Sequence, residues 1–159
     1  MSKVKAGKVI IDALNEVLTA ELTAINQYFL HSKMLADWGF DGLAGKVRAE
    51  SIDEMKHADV VIDRILYLDG VPNVQRLGRV RIGETVREQF ECDMALENEA
   101  IPRLNEAIAL CVEHGDNGTR ALLEQILVDE EHHLDWLETQ LGLIEQVGEK
   151  AYLAEQIRG

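Results

Sequence analysis

The sequence is poor in several residue types, and each shortage narrows the possible class of protein. Only 2 prolines and 5% aromatic residues occur in 159 residues, while long stretches are rich in Ala, Leu, Glu and Ile. This combination favours helix throughout. Basic residues are also scarce, with 16 Lys and Arg against 29 Asp and Glu and a net charge of −13. That charge argues against nucleic acid as a partner and favours a surface that attracts cations.

Cysteine and long apolar stretches are equally scarce. Cys92 and Cys111 fall in one predicted helix, roughly 28 Å apart at the helical rise per residue, which is too far for a disulfide between them. Two lone thiols are typical of a reducing compartment. No stretch is long and apolar enough to span a bilayer. The sequence therefore predicts a cytoplasmic protein that does not bind membranes, with residues 1–159 forming a single domain.

The hydrophobic pattern predicts five helices, at about residues 8–38, 42–68, 84–113, 119–143 and 149–157. Residues 71–83 contain Pro72, Asn73, Gly78 and Gly83 and lack helical periodicity, so we predict an extended crossover there. Antiparallel neighbours need only a short link, so this long connection predicts that the second and third helices run parallel. The fold class is an all-α four-helix bundle with a short fifth helix.

Two Glu-x-x-His motifs occur in separate predicted helices, Glu54–His57 and Glu130–His133. The i, i+3 spacing places a carboxylate and an imidazole on one face of a helix, where both can bind one metal ion. A single motif arises easily by chance, whereas two in different long helices are much stronger evidence of a metal site. The four residues are therefore candidate metal ligands.

Two further glutamates, Glu21 and Glu97, have mainly apolar neighbours one helical turn away, unlike most acidic residues of the chain. With Glu54 and Glu130 they give four inward carboxylates, which would repel one another in a dry interior. Two divalent cations would cancel the four charges. Carboxylate oxygens with one imidazole per metal suit iron or manganese and argue against a thiolate zinc site. The alternative is that these glutamates are partly exposed or pair with Lys and Arg.

At these residues the chain resembles the bacterioferritins along nearly its whole length, most specifically in residues 21–31, 50–59 and 129–139. The resemblance implies a ferritin-like bundle, a shell of two dozen subunits that stores ferric mineral, and a ferroxidase centre that oxidises Fe²⁺ in each subunit. It implies that Glu54 and Glu130 bridge two iron ions. Each iron is then completed by one further glutamate and one histidine, namely Glu21 with His57 and Glu97 with His133. Tyr28 is implied to hydrogen-bond within the site.

The resemblance also implies haem b, shared by two subunits on a two-fold axis with one axial methionine from each. Met55 matches that position, and Arg48 is a candidate partner for the propionates. The groove wall is expected to contain Leu22, Ile25, Asn26 and Phe29. Without the resemblance, Met55 would be read as a core or interface methionine.

The implied partners are other subunits, small molecules and a reductant. The shell is expected to be a homo-oligomer built from two-fold dimers, formed by this chain alone or together with a paralogue. Fe²⁺ and either oxygen or peroxide are the expected substrates, and a ferredoxin-type protein is the expected reductant for haem-assisted iron release. The alternatives are a non-storage di-iron oxidase or peroxidase and a haem electron-transfer protein.

Some positions depart from the family pattern. Some members have a histidine one turn before Asp53 as part of an inner-surface iron site, and this chain has Ala49 there. The remaining histidines are predicted to be dispensable, with His31 and His132 on polar helix faces and His114 in a loop.

Overall fold

The computed structural model describes residues 7–158, and within that range it forms five α-helices and no β-strand. The helices are α1 (Lys8–Asp37), α2 (Asp41–Tyr67), α3 (Val86–Glu113), α4 (Asn117–Val147) and α5 (Glu149–Ala154). The predicted all-α architecture of four long helices and a short fifth one is confirmed. No helix among the described residues is both long and apolar enough to cross a membrane. The ends of the predicted domain, residues 1–6 and 159, lie outside the described range.

Two helix starts differ from the prediction, and the observed N-cap residue explains each position. Helix α3 begins at Val86 rather than at residue 84, since the Thr85 hydroxyl accepts a hydrogen bond of 3.1 Å from the Glu88 N–H. Helix α4 begins at Asn117 rather than Thr119, because Asp116 accepts a bond of 3.0 Å from the Thr119 N–H. Asp116 and Thr85 thus satisfy amide groups that the first helical turn leaves free.

The C-terminal helices also differ in extent from the prediction. Helix α4 continues past Leu143 to Val147 and ends at Gly148, whose φ of 89° favours glycine. Helix α5 ends at Ala154 rather than Ile157. The extension of α4 is explained by packing, because Ile144 and Tyr152 are buried in the same core cluster. The Tyr152 hydroxyl also donates a bond of 2.7 Å to Gln140, which holds α5 against α4.

The crossover, predicted at residues 71–83, continues to residue 85 in the structure. It lies along α1 and sets the direction of α3. Five polar side chains at every fourth position of α1 bond to it: Asn15, Thr19, Thr23, Gln27 and His31. Because their partners run in the same order, from Val71 to Gly83, the crossover carries the chain toward the C-terminal end of α1. Helix α3 then returns antiparallel to α1, as the pairs Gln27–Asp93 and Met34–Gln89 show. Helices α2 and α3 are therefore parallel, as predicted.

The hydrophobic core consists of two clusters with a polar layer between them. The first cluster comprises Ile10, Leu14, Val17, Leu18, Ala58, Val61, Ile65, Leu68, Leu104, Ala107, Cys111, Leu123 and Ile126. The second comprises Ala24, Tyr28, Leu35, Leu43, Val47, Val86, Phe90, Leu137, Ile144 and Tyr152. In every long helix, the predicted metal ligands fall between the part that packs in one cluster and the part that packs in the other. The bundle thus encloses these ligands with apolar packing on both sides.

Candidate metal centre

The structure brings all six predicted ligands together between the two core clusters. Their exposed fractions lie between 1% and 7%. They form two overlapping groups, one of Glu21, Glu54, His57 and Glu130 and one of Glu54, Glu97, Glu130 and His133. Within each group the potential ligand atoms lie within 4.8 Å of one another. Each long helix contributes one carboxylate, and α2 and α4 each add a histidine one turn later.

The two shared carboxylates face both histidines. Glu54 directs Oε2 toward Nδ1 of His57, at 3.7 Å, and Oε1 toward Nδ1 of His133, at 3.4 Å. Glu130 places Oε1 3.5 Å from Nδ1 of His57 and 4.0 Å from Nδ1 of His133. A carboxylate between two imidazoles can bridge two metal ions, one beside each ring.

The inward polar atoms of this cluster lack hydrogen-bond partners among the described residues. They are Glu21 Oε2, both oxygens of Glu54, His57 Nδ1, Glu97 Oε2, Glu130 Oε1 and His133 Nδ1. Buried polar atoms without partners are rare and unfavourable. Seven of them in one cluster therefore indicate a ligand that binds them together. Carboxylate oxygens with neutral imidazole nitrogens suit divalent iron or manganese. The donor set therefore fits a pair of such ions.

The metal-free centre holds protons. Burial alone would lower the pKa of His57, but the carboxylates of Glu130 and Glu21 raise it to about 11. The pKa of His133 is likewise raised to about 9, with Glu97 as the main cause opposing burial. Burial, and then the charge of Glu130, raise the pKa of Glu97 to about 8, and burial raises that of Glu54. Divalent cations would displace these protons.

Tyr28 lies at the edge of this cluster, fully buried, and its hydroxyl donates a hydrogen bond to Oε1 of Glu97. Its ring also meets the His133 ring edge-on, with 6.0 Å between the ring centres. Burial, followed by the negative charge of Glu97, raises the pKa of the phenol well above its usual value. Tyr28 is thus held as a neutral donor to one carboxylate of the cluster.

Comparison with known proteins agrees with this geometry. The protein-family model described as a ferritin-like domain matches residues 11–147 of this chain. The bacterioferritin of Mycobacterium leprae (strain TN) is 56% identical over 146 residues, 92% of each chain. The chain belongs to the bacterioferritin family. The Streptomyces coelicolor bacterioferritin is 55% identical over 148 residues, 93% of this chain and 89% of the relative. That of Rhodobacter capsulatus is 45% identical over 148 residues, 93% and 92% of the two chains.

In this bacterioferritin-family chain, two carboxylates that sequence reasoning missed lie behind the histidines. Asp129 Oδ2 is 2.8 Å from Nε2 of His57, and Glu50 Oε2 is 3.7 Å from Nε2 of His133. Carboxylates in such outer positions fix the ring orientation and make the imidazole a better ligand. Glu50 had a sequence signal, since it lies one turn before Glu54 on the same face. Asp129 had none beyond its place next to Glu130.

His31 lies on a polar face of α1, as predicted, but its side chain is fully buried because the crossover covers that face. His132 is exposed on α4, and His114 follows the last residue of α3 as an exposed C-cap, both as predicted.

Among the described residues of this bacterioferritin-family chain, cavities reach the metal centre from two sides. One of about 80 Å³ lies between α1, α3 and the crossover and touches Glu21, Glu97 and Glu130. The other, of about 300 Å³, is lined by Lys46, Asp53, Lys56, His57, Asp129, His132 and His133. Asp53 thus lies in an opening beside the histidines, although Ala49 offers no ligand.

Met55 lies on the opposite side of α2, 57% exposed, in an apolar groove of about 260 Å³. The groove is lined by Ile25, Asn26, Phe29, Arg48, Ser51, Ile52 and Met55. Leu22, predicted in its wall, packs instead against the first core cluster. An exposed thioether in an open apolar groove fits the predicted position of Met55 as an axial haem ligand.

Proposed function

We propose that this chain is the subunit of an iron store, in which Fe²⁺ is oxidised at the six-residue centre and ferric iron is kept as mineral inside a homo-oligomeric shell. The observation that carries this proposal is the set of buried, unpartnered oxygens and nitrogens shared by two Glu/His groups. A pair of bound metal ions accounts for the convergence of four carboxylates in the core. The bacterioferritin relatives support iron as the metal and a shell as the assembly.

Fe²⁺ is the substrate in this proposal. Two bound Fe²⁺ ions give up one electron each, so the pair reduces oxygen to hydrogen peroxide with the uptake of two protons, or reduces peroxide to water. The four carboxylates stabilise the higher charge of the ferric product. Glu54 and Glu130 hold the two ions close, while apolar packing on both sides excludes water. The Tyr28 hydroxyl donates a hydrogen bond to Glu97 and fixes that carboxylate.

The remaining parts of the function follow the same proposal. The cavity that contains Asp53 and the two histidines offers ferric iron a way out of the centre. Haem b would bind between two Met55 grooves related by a two-fold axis and would supply electrons that return iron to the soluble ferrous state. Assembly into two dozen subunits, alone or with a paralogue, a ferredoxin-type reductant and a cytoplasmic location stay predictions.

Aerobic titration of the purified apoprotein with Fe²⁺, followed by sizing of the particle and its mineral, tests the proposal. The parent chain should oxidise two Fe²⁺ per subunit rapidly. Glu130→Ala and His57→Ala should abolish this phase and still assemble, whereas Glu131→Ala, an exposed neighbour on α4, should match the parent. Equal rapid phases in all variants would disprove the site. Oxidation without a mineral-filled particle would instead support a non-storage di-iron oxidase.

A further inference from the structure

A buried polar network lies one helical turn from the candidate metal centre and joins α1, α3 and the end of the crossover. Asp93 Oδ1 accepts a hydrogen bond of 2.8 Å from Gln27 Nε2 and lies 2.9 Å from His31 Nδ1. The side chains of Gln27 and His31 also bond to the crossover. The Arg81 N–H donates to Gln27 Oε1 at 2.9 Å, and the Gly83 N–H donates to His31 Nε2 at 3.0 Å. Asp93, Gln27 and His31 are at most 1% exposed.

The hydrogen bonds define the tautomer of His31. Because the Gly83 N–H donates to Nε2, that nitrogen has no proton, and the proton of the neutral ring is on Nδ1. His31 therefore donates to Asp93 and accepts from the crossover at the same time. Replacing it by an apolar residue would leave a buried carboxylate and a buried amide each one partner short.

This network adjoins one half of the metal centre. Gln27 and Tyr28 are neighbours on α1, and their partners Asp93 and Glu97 are one turn apart on α3. The two side-chain bonds thus fix the same stretch of α1 against the same turn of α3. Glu97 and His133 belong to the second metal group. Glu97 is linked to the network through its bond to Tyr28, whereas the described contacts of Glu21 and His57 are with each other and with Glu54, Asp129 and Glu130.

We propose that Asp93, held by His31 and Gln27, is a positioning residue for the Glu97–His133 half of the candidate metal centre. This proposal rests on the function proposed above. Asp93 keeps Glu97 and Tyr28 in register, so that Glu97 Oε1 lies 3.6 Å from Nδ1 of His133. Loss of Asp93 should loosen metal binding in that half and leave the other half as it is.

Anaerobic titration with Co²⁺, monitored by visible absorption, tests whether Asp93 affects only the Glu97–His133 half. The parent should bind two Co²⁺ per subunit, and His57→Ala and His133→Ala should each retain one, in opposite halves. Adding Asp93→Ala to His57→Ala should weaken the remaining site at least tenfold. Adding it to His133→Ala should change the affinity less than twofold. Equal weakening in both backgrounds, or none in either, would overturn the proposal and leave the network a purely structural role.

Two further sets of variants separate positioning from anchoring of the crossover. His31→Asn can keep the donor to Asp93, and His31→Gln can keep the acceptor for Gly83. In the His57→Ala background only His31→Gln should weaken Co²⁺ binding, and this pair decides the question if Asp93→Ala fails to fold. Asn15→Ala removes two bonds to the crossover far from Asp93 and should leave both halves unchanged.

A parent that binds no Co²⁺ would overturn the proposed function and this inference together, whereas two normal sites unaffected by these variants would overturn the inference alone.

Discussion

His57 and Asp129 form a pair in which Nε2 of the ring lies 2.8 Å from the carboxylate oxygen Oδ2. This contact turns the other ring nitrogen, Nδ1, toward Glu21 and Glu130, each 3.5 Å away. The carboxylate comes from α4 and the histidine from α2, so the pair also connects two helices at the centre. Asp129 thus orients a candidate ligand without facing the metal positions itself.

Replacing Asp129 by alanine should weaken divalent metal binding in the His57 half by about 10–100-fold, the usual effect of removing an outer carboxylate. Isothermal titration with Co²⁺ in the His133→Ala background measures that half alone. Asp135→Ala is a matched control, because this exposed aspartate lies on the same helix and its carboxylate has no bond to the centre. Equal affinities for the two variants would show that Asp129 does not orient the ring.

Metal should stabilise the protein more strongly as pH rises from about 6 to 8. In the metal-free protein the pKa of Glu97 is raised to about 8 and that of His57 to about 11, from ordinary values of 4.5 and 6.5. The folded state therefore binds these protons more tightly than the unfolded state. This contribution to stability is complete at low pH and declines as pH rises toward the folded-state values.

Bound cations replace these protons, so the metal-free melting temperature should fall across this range while the increase caused by Mn²⁺ grows. Thermal melts with and without Mn²⁺ at fixed ionic strength give both curves. His57→Ala with Glu130→Ala should show little dependence on metal at any pH. A Mn²⁺ effect that is constant or shrinks with pH would contradict the assigned proton displacement.

The four inward glutamates were predictable from the sequence because helical periodicity reveals which carboxylates have apolar neighbours. The residues at i±3 and i±4 from Glu21 are buried or half-buried in the structure, and so are those around Glu97 and Glu130. The histidines follow from their i, i+3 spacing. For these residues local pattern and tertiary packing agree, since all lie on the inward stripes of long helices.

His31 was not predictable in this way, because its burial depends on a segment far away in sequence. A polar residue at every fourth position of α1 has the pattern of a solvent-exposed stripe. The crossover covers that stripe, and its extended backbone needs partners that no strand supplies. Thr23, Gln27 and His31 provide them. A polar helix face can thus serve a non-helical segment of the same chain, and only the tertiary structure distinguishes the two cases.

Gly83→Ala should lower the free energy of unfolding by about 1–3 kcal/mol, the range for overpacking a tight contact. A Cβ atom there would lie 2.3 Å from the backbone nitrogen of Gln89, which cannot move without shifting α3. Chemical denaturation measures the loss. Gly45→Ala is the matched control, because its Cβ would meet nothing within 4 Å and the site is inside α2. That variant should gain about 0.5–1 kcal/mol from helix propensity, and a similar loss in both would refute the steric explanation.

Met55→Leu should yield assembled particles that lack haem and still oxidise Fe²⁺. The substitution keeps the side-chain volume and removes the sulfur, so the apolar groove of Ile25, Phe29 and Ile52 is retained while the axial ligand is lost. Thioether ligation raises the reduction potential of haem iron and so favours the ferrous state, which suits electron transfer toward stored ferric iron.

The measurement is the ratio of haem to subunit, by absorption after reconstitution with haem b. Met94→Leu is the control, because Met94 packs against the second core cluster, away from the groove. Haem bound to Met55→Leu with the parent spectrum would rule out methionine ligation at this position. Slower reductive release of iron from Met55→Leu particles, with an unchanged rate of oxidation, would separate the role of the haem from that of the six-residue centre.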